Sequence, residues 1–268
     1  MKGNDIKAVF FDIDGTLMSF TTRKIPDSAL KALYTLKEKG IKLFIASGRP
    51  PIQLTLLGEQ FNSFPWDGYA LMNGQYCTDE KREMFYSLPV SKECLKVLVP
   101  WIKENADYPC TFMELDYSYD IRFNEGMYNY LKQIGRTEMM VPVDDPERCY
   151  THDTYQVCPY VDASFDEEFL RHAPGLKCAR WTPDFADMIP ENGGKPEGMK
   201  QLMNKYGIQR EECMAFGDGG NDITMLEYAG IGVAMGNAAD HVKAAADYVT
   251  DHVDNDGLLK AFTHFGMI

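Results

Sequence analysis

Two aspartates two residues apart, in Asp12-Ile13-Asp14-Gly15-Thr16-Leu17, directly follow an apolar run at residues 6–11. With residue frequencies near one in twenty, a D-x-D-G-T string arises by chance in only about one in 600 chains of this length. Carboxylates at the carboxyl end of a buried strand lie where open α/β sheets place their ligands. A second acidic stretch, Gly217-Asp218-Gly219-Gly220-Asn221-Asp222, follows another apolar run at 213–216. If the two loops meet at one sheet edge, Asp12, Asp14 and Asp218 crowd together. Two carboxylates about 4 Å apart repel by about 4 kcal/mol at an effective dielectric near 20, so a cation or a proton must join them. Oxygen-only ligands point to magnesium. A calcium loop is the nearest competitor, but it needs a third ligand before the glycine and a helix on each side, and Asp12–Leu17 offers neither.

Two further pieces suit an anion such as phosphate. Ser47-Gly48-Arg49 ends the apolar run at 41–46, offering a hydroxyl and backbone N–H groups. Lys195, in Gly193-Gly194-Lys195-Pro196, opens a helical stretch, where its ammonium adds to the helix dipole. Alone, the first reads as a capping turn and the second as a solvated surface lysine.

The elements that must position these residues alternate strand and helix. Residues 6–11 read as a fully buried strand, and Pro26-Asp27 with Leu30, Leu33 and Leu36 up to Gly40 as a helix. Strands at 41–46 and 69–72 follow, the latter closed by an Asn73-Gly74 turn. The pattern returns with helix 196–206, strand 213–216, helix 223–228, strand 231–235, helix 238–246 and strand 248–249. Continuous apolar strands alternating with helices predict an α/β fold with a doubly wound parallel sheet. Between about 84 and 189 the texture changes to alternating strands such as 155–161 and helices at 92–105, 125–134 and 165–172, an α+β insertion. The expected organisation is a core of residues 1–83 and 190–268 carrying a domain at 84–189.

The 268 residues include 27 Lys+Arg against 40 Asp+Glu, a net charge of −13, and 45% are hydrophobic, which excludes disorder, collagen and coiled coil. An acidic surface without a basic run repels a phosphate backbone and argues against long nucleic acid as a partner. The first apolar run is too short for a signal h-region, and no segment approaches the roughly 20 apolar residues of a membrane span. Seven cysteines never fall in a C-x-x-C spacing and read as reduced thiols of a cytoplasmic protein. The five histidines, His152, His172, His241, His252 and His264, show no paired spacing and read as surface or packing residues. Gly230-Ile231-Gly232 and Gly236 enclose an apolar strand instead of following one, which excludes a dinucleotide fingerprint. Oligomeric state is not encoded in any pattern here.

Taken in order, these segments resemble the haloacid dehalogenase superfamily of aspartyl-phosphate enzymes, and most closely its Cof-type phosphatases with an α+β cap between the second and third motifs. The resemblance rests on Asp12/Asp14, Ser47, Lys195 and Gly217–Asp222 as the four motifs, and extends over 230–238 and 246–250. Pro196 departs from the subgroup's usual glycine. The resemblance implies a Rossmann-like core and a magnesium-dependent phosphatase of small phosphorylated metabolites, with sugar phosphates favoured. Asp12 would be the nucleophile and Asp14 the acid–base. Magnesium would be held by Asp12, the main-chain carbonyl of Asp14, and Asp218, with Asp222 assisting. Ser47, Gly48, Lys195 and Asn221 would hold phosphate oxygens. Arg49 is a candidate substrate contact, as are the cap stretches Asp116-Tyr117-Ser118-Tyr119-Asp120 and Tyr128-Asn129-Tyr130. A phosphosugar mutase and a silent phosphometabolite-binding protein are the alternatives.

Overall fold

Four runs, Ala8–Phe11 (β1), Lys42–Ala46 (β2), Cys213–Gly217 and Ile231–Ala234, are buried almost throughout, as strands covered on both faces require. The computed structural model describes residues 5–135 and 137–268. Its chain forms two compact units, one of residues up to Arg49 with Gln53–Ser87 and Gly194–Ile268, the other of Pro50–Ile52 and Leu88–Gly193.

In the first unit the strands continue as Gly68–Leu71 (β3), Tyr76–Asp79 (β4) and Met84–Ser87 (β5). The second unit contributes Cys110–Met113 (β6), Ser118–Asp120 (β7), Gln156–Pro159 (β8), Leu176–Ala179 (β9) and Asp187–Pro190 (β10). The chain then returns to the first sheet with Cys213–Gly217 (β11), Ile231–Ala234 (β12) and Tyr248–Val249 (β13).

The first sheet has the order β13-β12-β11-β1-β2-β3-β4-β5. All pairs from β13 to β3 are parallel, and β4 and β5 add an antiparallel edge. The chain leaves β1 toward β2 and β3 on one side and later returns to β11 on the other. The order therefore reverses at β1/β11, the crevice where such sheets bind ligands. The register pairs Phe11 with both Phe216 and Ile45, so Asp12, Ala46-Ser47 and Gly217-Asp218 all emerge at one edge. Phe11 stacks on Phe216 with centroids 5.5 Å apart, and Phe262 packs edge-on against both, filling the layer beneath one face.

The β4–β5 pair lies where the sequence pattern marks only a turn and the start of the insertion. Met84–Ser87 pairs with β4, so these residues belong to the first unit and the long segment of the second begins at Leu88. The expected helix at 238–246 is a single turn, Asp240–Lys243, because alanine supplies propensity there but little apolar face.

The second unit is an antiparallel sheet of order β7-β6-β8-β10-β9. One face buries Phe112, Tyr119, Val157 and Met188 in a core with Leu95, Leu98 and Phe169. Tyr119 is fully buried and stacks on Phe112 at 5.4 Å, so it is a packing residue and not the exposed polar group its neighbours suggest. Tyr117 is half-buried, donating its hydroxyl to Asp144 at 3.0 Å beneath the Arg148 guanidinium. Among the described residues no helix is long and apolar enough to cross a membrane.

The helix Lys195–Tyr206 runs so close to the β3–β4 turn that a Cβ on Gly198 would sit 2.6 Å from Ala70 Cβ and 2.7 Å from Gly74 Cα. Overpacking at such a contact costs about 1–3 kcal/mol. Gly198→Val should lose that much stability in urea unfolding, whereas Lys200→Ala, on the exposed face of the same helix, should stay within about 0.5 kcal/mol of the parent.

Candidate active site

At the carboxyl edge of β1, Asp12 is buried to 8% exposure, and its Oδ1 accepts from Lys195 Nζ at 2.6 Å. The same ammonium donates to Asp222 Oδ1 at 2.5 Å, and both Lys195 and Asp222 are essentially inaccessible to solvent. Asp222 Oδ2 accepts from the backbone N–H groups of Asp218 and Gly219 at 3.0 and 2.9 Å. The loop carrying Asp218 is therefore tied to the buried lysine through one carboxylate.

Asp218 comes back over the first loop. Thr16 donates its hydroxyl to Asp218 Oδ1 at 2.8 Å, and Asn237 Nδ2 donates to Asp218 Oδ2 at 3.1 Å and to the Gly15 carbonyl at 2.8 Å. The approach demands glycine at position 15. Its φ is +82°, and a Cβ there would lie 2.2 Å from Asp218 Oδ2.

Oxygens of Asp12, Asp218 and Asp222 fall within 4.8 Å of one another, the arrangement a hard divalent cation takes. Asp222 carries three protein donors, one of them the Lys195 ammonium, whereas Asp218 carries one neutral donor on each oxygen and Asp12 accepts Lys195 on Oδ1, so Asp12 and Asp218 keep more acceptor capacity for a cation. Burial pushes the Asp12 carboxyl up to about 7, with Lys195 opposing and Asp222 and Asp14 adding to the rise. Burial with the charges of Asp12 and Asp222 pushes Asp218 up to about 8. Desolvation opposes the charge on Lys195, but Asp12 and Asp222 outweigh it and hold its pKa above the usual lysine value. Two acids reluctant to ionise, in an oxygen-only cluster, fit a site completed by a divalent cation.

Asp14 stands apart from this cluster. Its carboxylate takes a two-pronged contact from Arg49, Nε to Oδ2 at 2.6 Å and Nη2 to Oδ1 at 2.8 Å. Ser47 is buried, and its Oγ accepts from the Arg49 backbone N–H at 3.3 Å; Gly48 bridges the two. Asn221 Nδ2 donates to Asn73 Oδ1 at 3.0 Å.

Three participants escape the sequence reading: Thr16, Asn73 and Asn237. Asn73 looked like a turn residue, yet its buried side chain at φ +52° meets Asn221. A usable signal exists, since Asn73 follows β3 and Asn237 follows β12, the same carboxyl edge that holds Asp12 and Asp218. The histidines pack as expected where contacts are visible, His172 on Trp101 and His264 on Tyr248. The cysteines are free, and all but Cys178 are buried.

The family model for haloacid dehalogenase-like hydrolases matches residues 9–262. The Bacillus subtilis (strain 168) protein YkrA, named as a phosphatase, is 32% identical over 267 residues, covering 98% of this chain and 99% of its own. YcsE of the same organism, named as a 5-amino-6-(5-phospho-D-ribitylamino)uracil phosphatase, is 28% identical over 97% of this chain and 96% of its own. Among solved structures, BT4131, described as a sugar phosphatase of HAD subclass IIB, superposes with a TM-score of 0.89 at 39% identity, covering 98% of this chain and all of its own. BT1666 from Bacteroides thetaiotaomicron, described among phosphatases of the same superfamily, gives 0.90 at 34% identity over 98% and 96%.

The raised acids set a pH dependence for the metal-free protein. Between an ordinary carboxylate value near 4 and the folded values of about 7 and 8, the native state holds protons that the unfolded chain has released. Stability from these groups is therefore present at low pH and is lost as pH rises toward 8. In EDTA, the urea midpoint should fall from pH 5 to pH 8, and the fall should be shallower in Asp218→Asn. Equal slopes in the two proteins would remove Asp218 as a source.

Proposed function

Because this chain belongs to the haloacid dehalogenase-like hydrolases, an enzyme family, we propose that it is a magnesium-dependent phosphatase of small phosphorylated metabolites, sugar phosphates foremost, working through an aspartyl phosphate. The observation that carries this reading is the contrast in surroundings between two neighbouring aspartates. Asp12 is buried against the Lys195 ammonium, while Asp14 is partly exposed and directed by Arg49.

Phosphoryl transfer requires an in-line nucleophile, neutralisation of the transferring oxygens and a proton for the leaving alkoxide. In the proposed sequence an Asp12 carboxylate oxygen bonds to phosphorus as the bond from phosphorus to the ester oxygen breaks, and Asp14 gives that oxygen its proton. Water then adds to the same phosphorus, giving its proton to Asp14, and Asp12 leaves as inorganic phosphate forms. Lys195, held 2.6 Å from Asp12 Oδ1, orients the nucleophile and faces the incoming charge. Ser47, the Gly48 backbone and Asn221 hold phosphate oxygens. Asp12, Asp218 and the Asp14 main-chain carbonyl, with support from Asp222, would hold magnesium, which would supply positive charge to the transferring phosphoryl group.

The names of the relatives support the reading: YkrA and YcsE are named as phosphatases and BT4131 as a sugar phosphatase. The core motifs recognise only phosphate, so discrimination among leaving groups is assigned to the inserted unit, with the core as the catalytic domain.

A panel of phosphate esters assayed with magnesium should show phosphate release, concentrated on sugar phosphates. Asp12→Asn keeps the side-chain volume but removes the attacking charge, and turnover should drop by at least about 10³-fold with the fold retained. Magnesium should raise the melting temperature of the parent and not of Asp218→Ala, since only a native site gains from mass action. Near-normal hydrolysis by Asp12→Asn would falsify the covalent route.

A further inference from the structure

Asp14 is the less constrained of the two aspartates by burial, with its side chain a third exposed. A partly exposed carboxylate can sample several rotamers, yet a proton donor must meet the leaving oxygen within hydrogen-bond reach. What limits Asp14 is Arg49, whose planar fork matches both carboxylate oxygens at 2.6 and 2.8 Å. A bidentate guanidinium sets both the position and the plane of a carboxylate, which a lysine ammonium does not.

Arg49 is itself held. Its backbone N–H reaches Ser47 Oγ at 3.3 Å, its carbonyl accepts from the Met72 N–H at 3.2 Å, and Nη1 donates to Gln53 Oε1 at 3.3 Å. Gln53 lies one helical turn on, in the short helix Pro51–Leu54, and so braces the guanidinium from the side away from Asp14. Its sequence position attracts no attention: nothing in its surroundings resembles a motif.

We propose that Arg49, braced by Gln53, is a positioning residue for Asp14, aiming its carboxyl group at the leaving-group oxygen. This rests on the assignment of Asp14 as acid–base made above. A contact from Arg49 to the phosphoryl group would make a different prediction, because every phosphate substrate carries that group.

The test compares two probes, glucose 6-phosphate, whose alkoxide needs a proton, and acetyl phosphate, whose acetate leaves without one. Asp14→Asn should depress kcat for both probes through the shared water step, and for the sugar ester by a larger factor, because only that ester also loses its leaving-group proton. Arg49→Lys should reproduce that selectivity, with kcat for glucose 6-phosphate down by about 10-fold or more, kcat for acetyl phosphate down by a clearly smaller factor, and KM for both nearly unchanged. Gln53→Met, which leaves Arg49 intact, should shift the ratio in the same direction by less. In an Asp14→Asn background, Arg49→Lys should add nothing to the loss on the sugar ester. Equal losses on both probes with a raised KM would place Arg49 on phosphate and overturn the inference, as would an unchanged ratio in Gln53→Met, even if Arg49→Lys fails to fold. If Asp14→Asn itself does not discriminate, the acid assignment fails and the positioning role falls with it. If it discriminates and Arg49→Lys does not, only the positioning role is lost.

Discussion

A lysine ammonium with no access to solvent, shared between Asp12 and Asp222, is the interaction on which the rest of the site depends. Removing one partner from such a buried set leaves an uncompensated charge and costs about 3–5 kcal/mol. The geometry around it is correspondingly tight. Lys195 reaches this point because its helix lies against the β3–β4 turn, a distance only Gly198 permits. Asp222 spends its other oxygen on the backbone of Asp218 and Gly219, so the same network that places the ammonium also shapes the loop across the crevice.

The convergence leaves an excess of negative charge. Asp218 arrives close enough to Gly15 to exclude any side chain there, and its two oxygens are steadied by Thr16 and Asn237. A single buried ammonium does not offset three carboxylates, which is why burial and mutual repulsion hold Asp12 and Asp218 toward their protonated forms without a cation. Asp14, only two residues from Asp12, escapes this crowding by pointing to Arg49. One strand end thus presents two carboxylates in unlike surroundings, the condition under which identical side chains take different chemical roles.

Much of this was legible beforehand. Apolar strands of a parallel sheet end at one edge, so residues following the runs at 6–11, 41–46 and 213–216 were expected on the same side once the sheet was recognised, and the strand order β11-β1-β2 makes them neighbours. That reasoning reached Asp12, Asp14 and Asp218 by position, whereas Ser47 and Lys195, weak signals when taken alone, were assigned to the site through the order of the four motifs in the family resemblance. It assigned no role to Asn73 or Asn237, which occupy the same edge after β3 and β12, because an asparagine beside a glycine reads equally well as a turn. The β4–β5 hairpin was missed because Tyr76–Asp79 and Met84–Ser87 are short and only one of them is well buried.

What the sequence by itself determined was the alternation of elements, the order of the four motifs and the oxygen-rich character of the site, because periodicity and residue type are local properties. The tertiary structure alone decided the pairings: Lys195 with Asp12 across 183 residues, Thr16 with Asp218 across 202, and Arg49 with Asp14 across 35. It also turned Tyr119 into the core, since a strand's two faces are equivalent until a partner layer covers one of them. Such choices follow from strand order, register and side-chain direction, and these are set by packing between distant segments, which no single stretch of sequence contains.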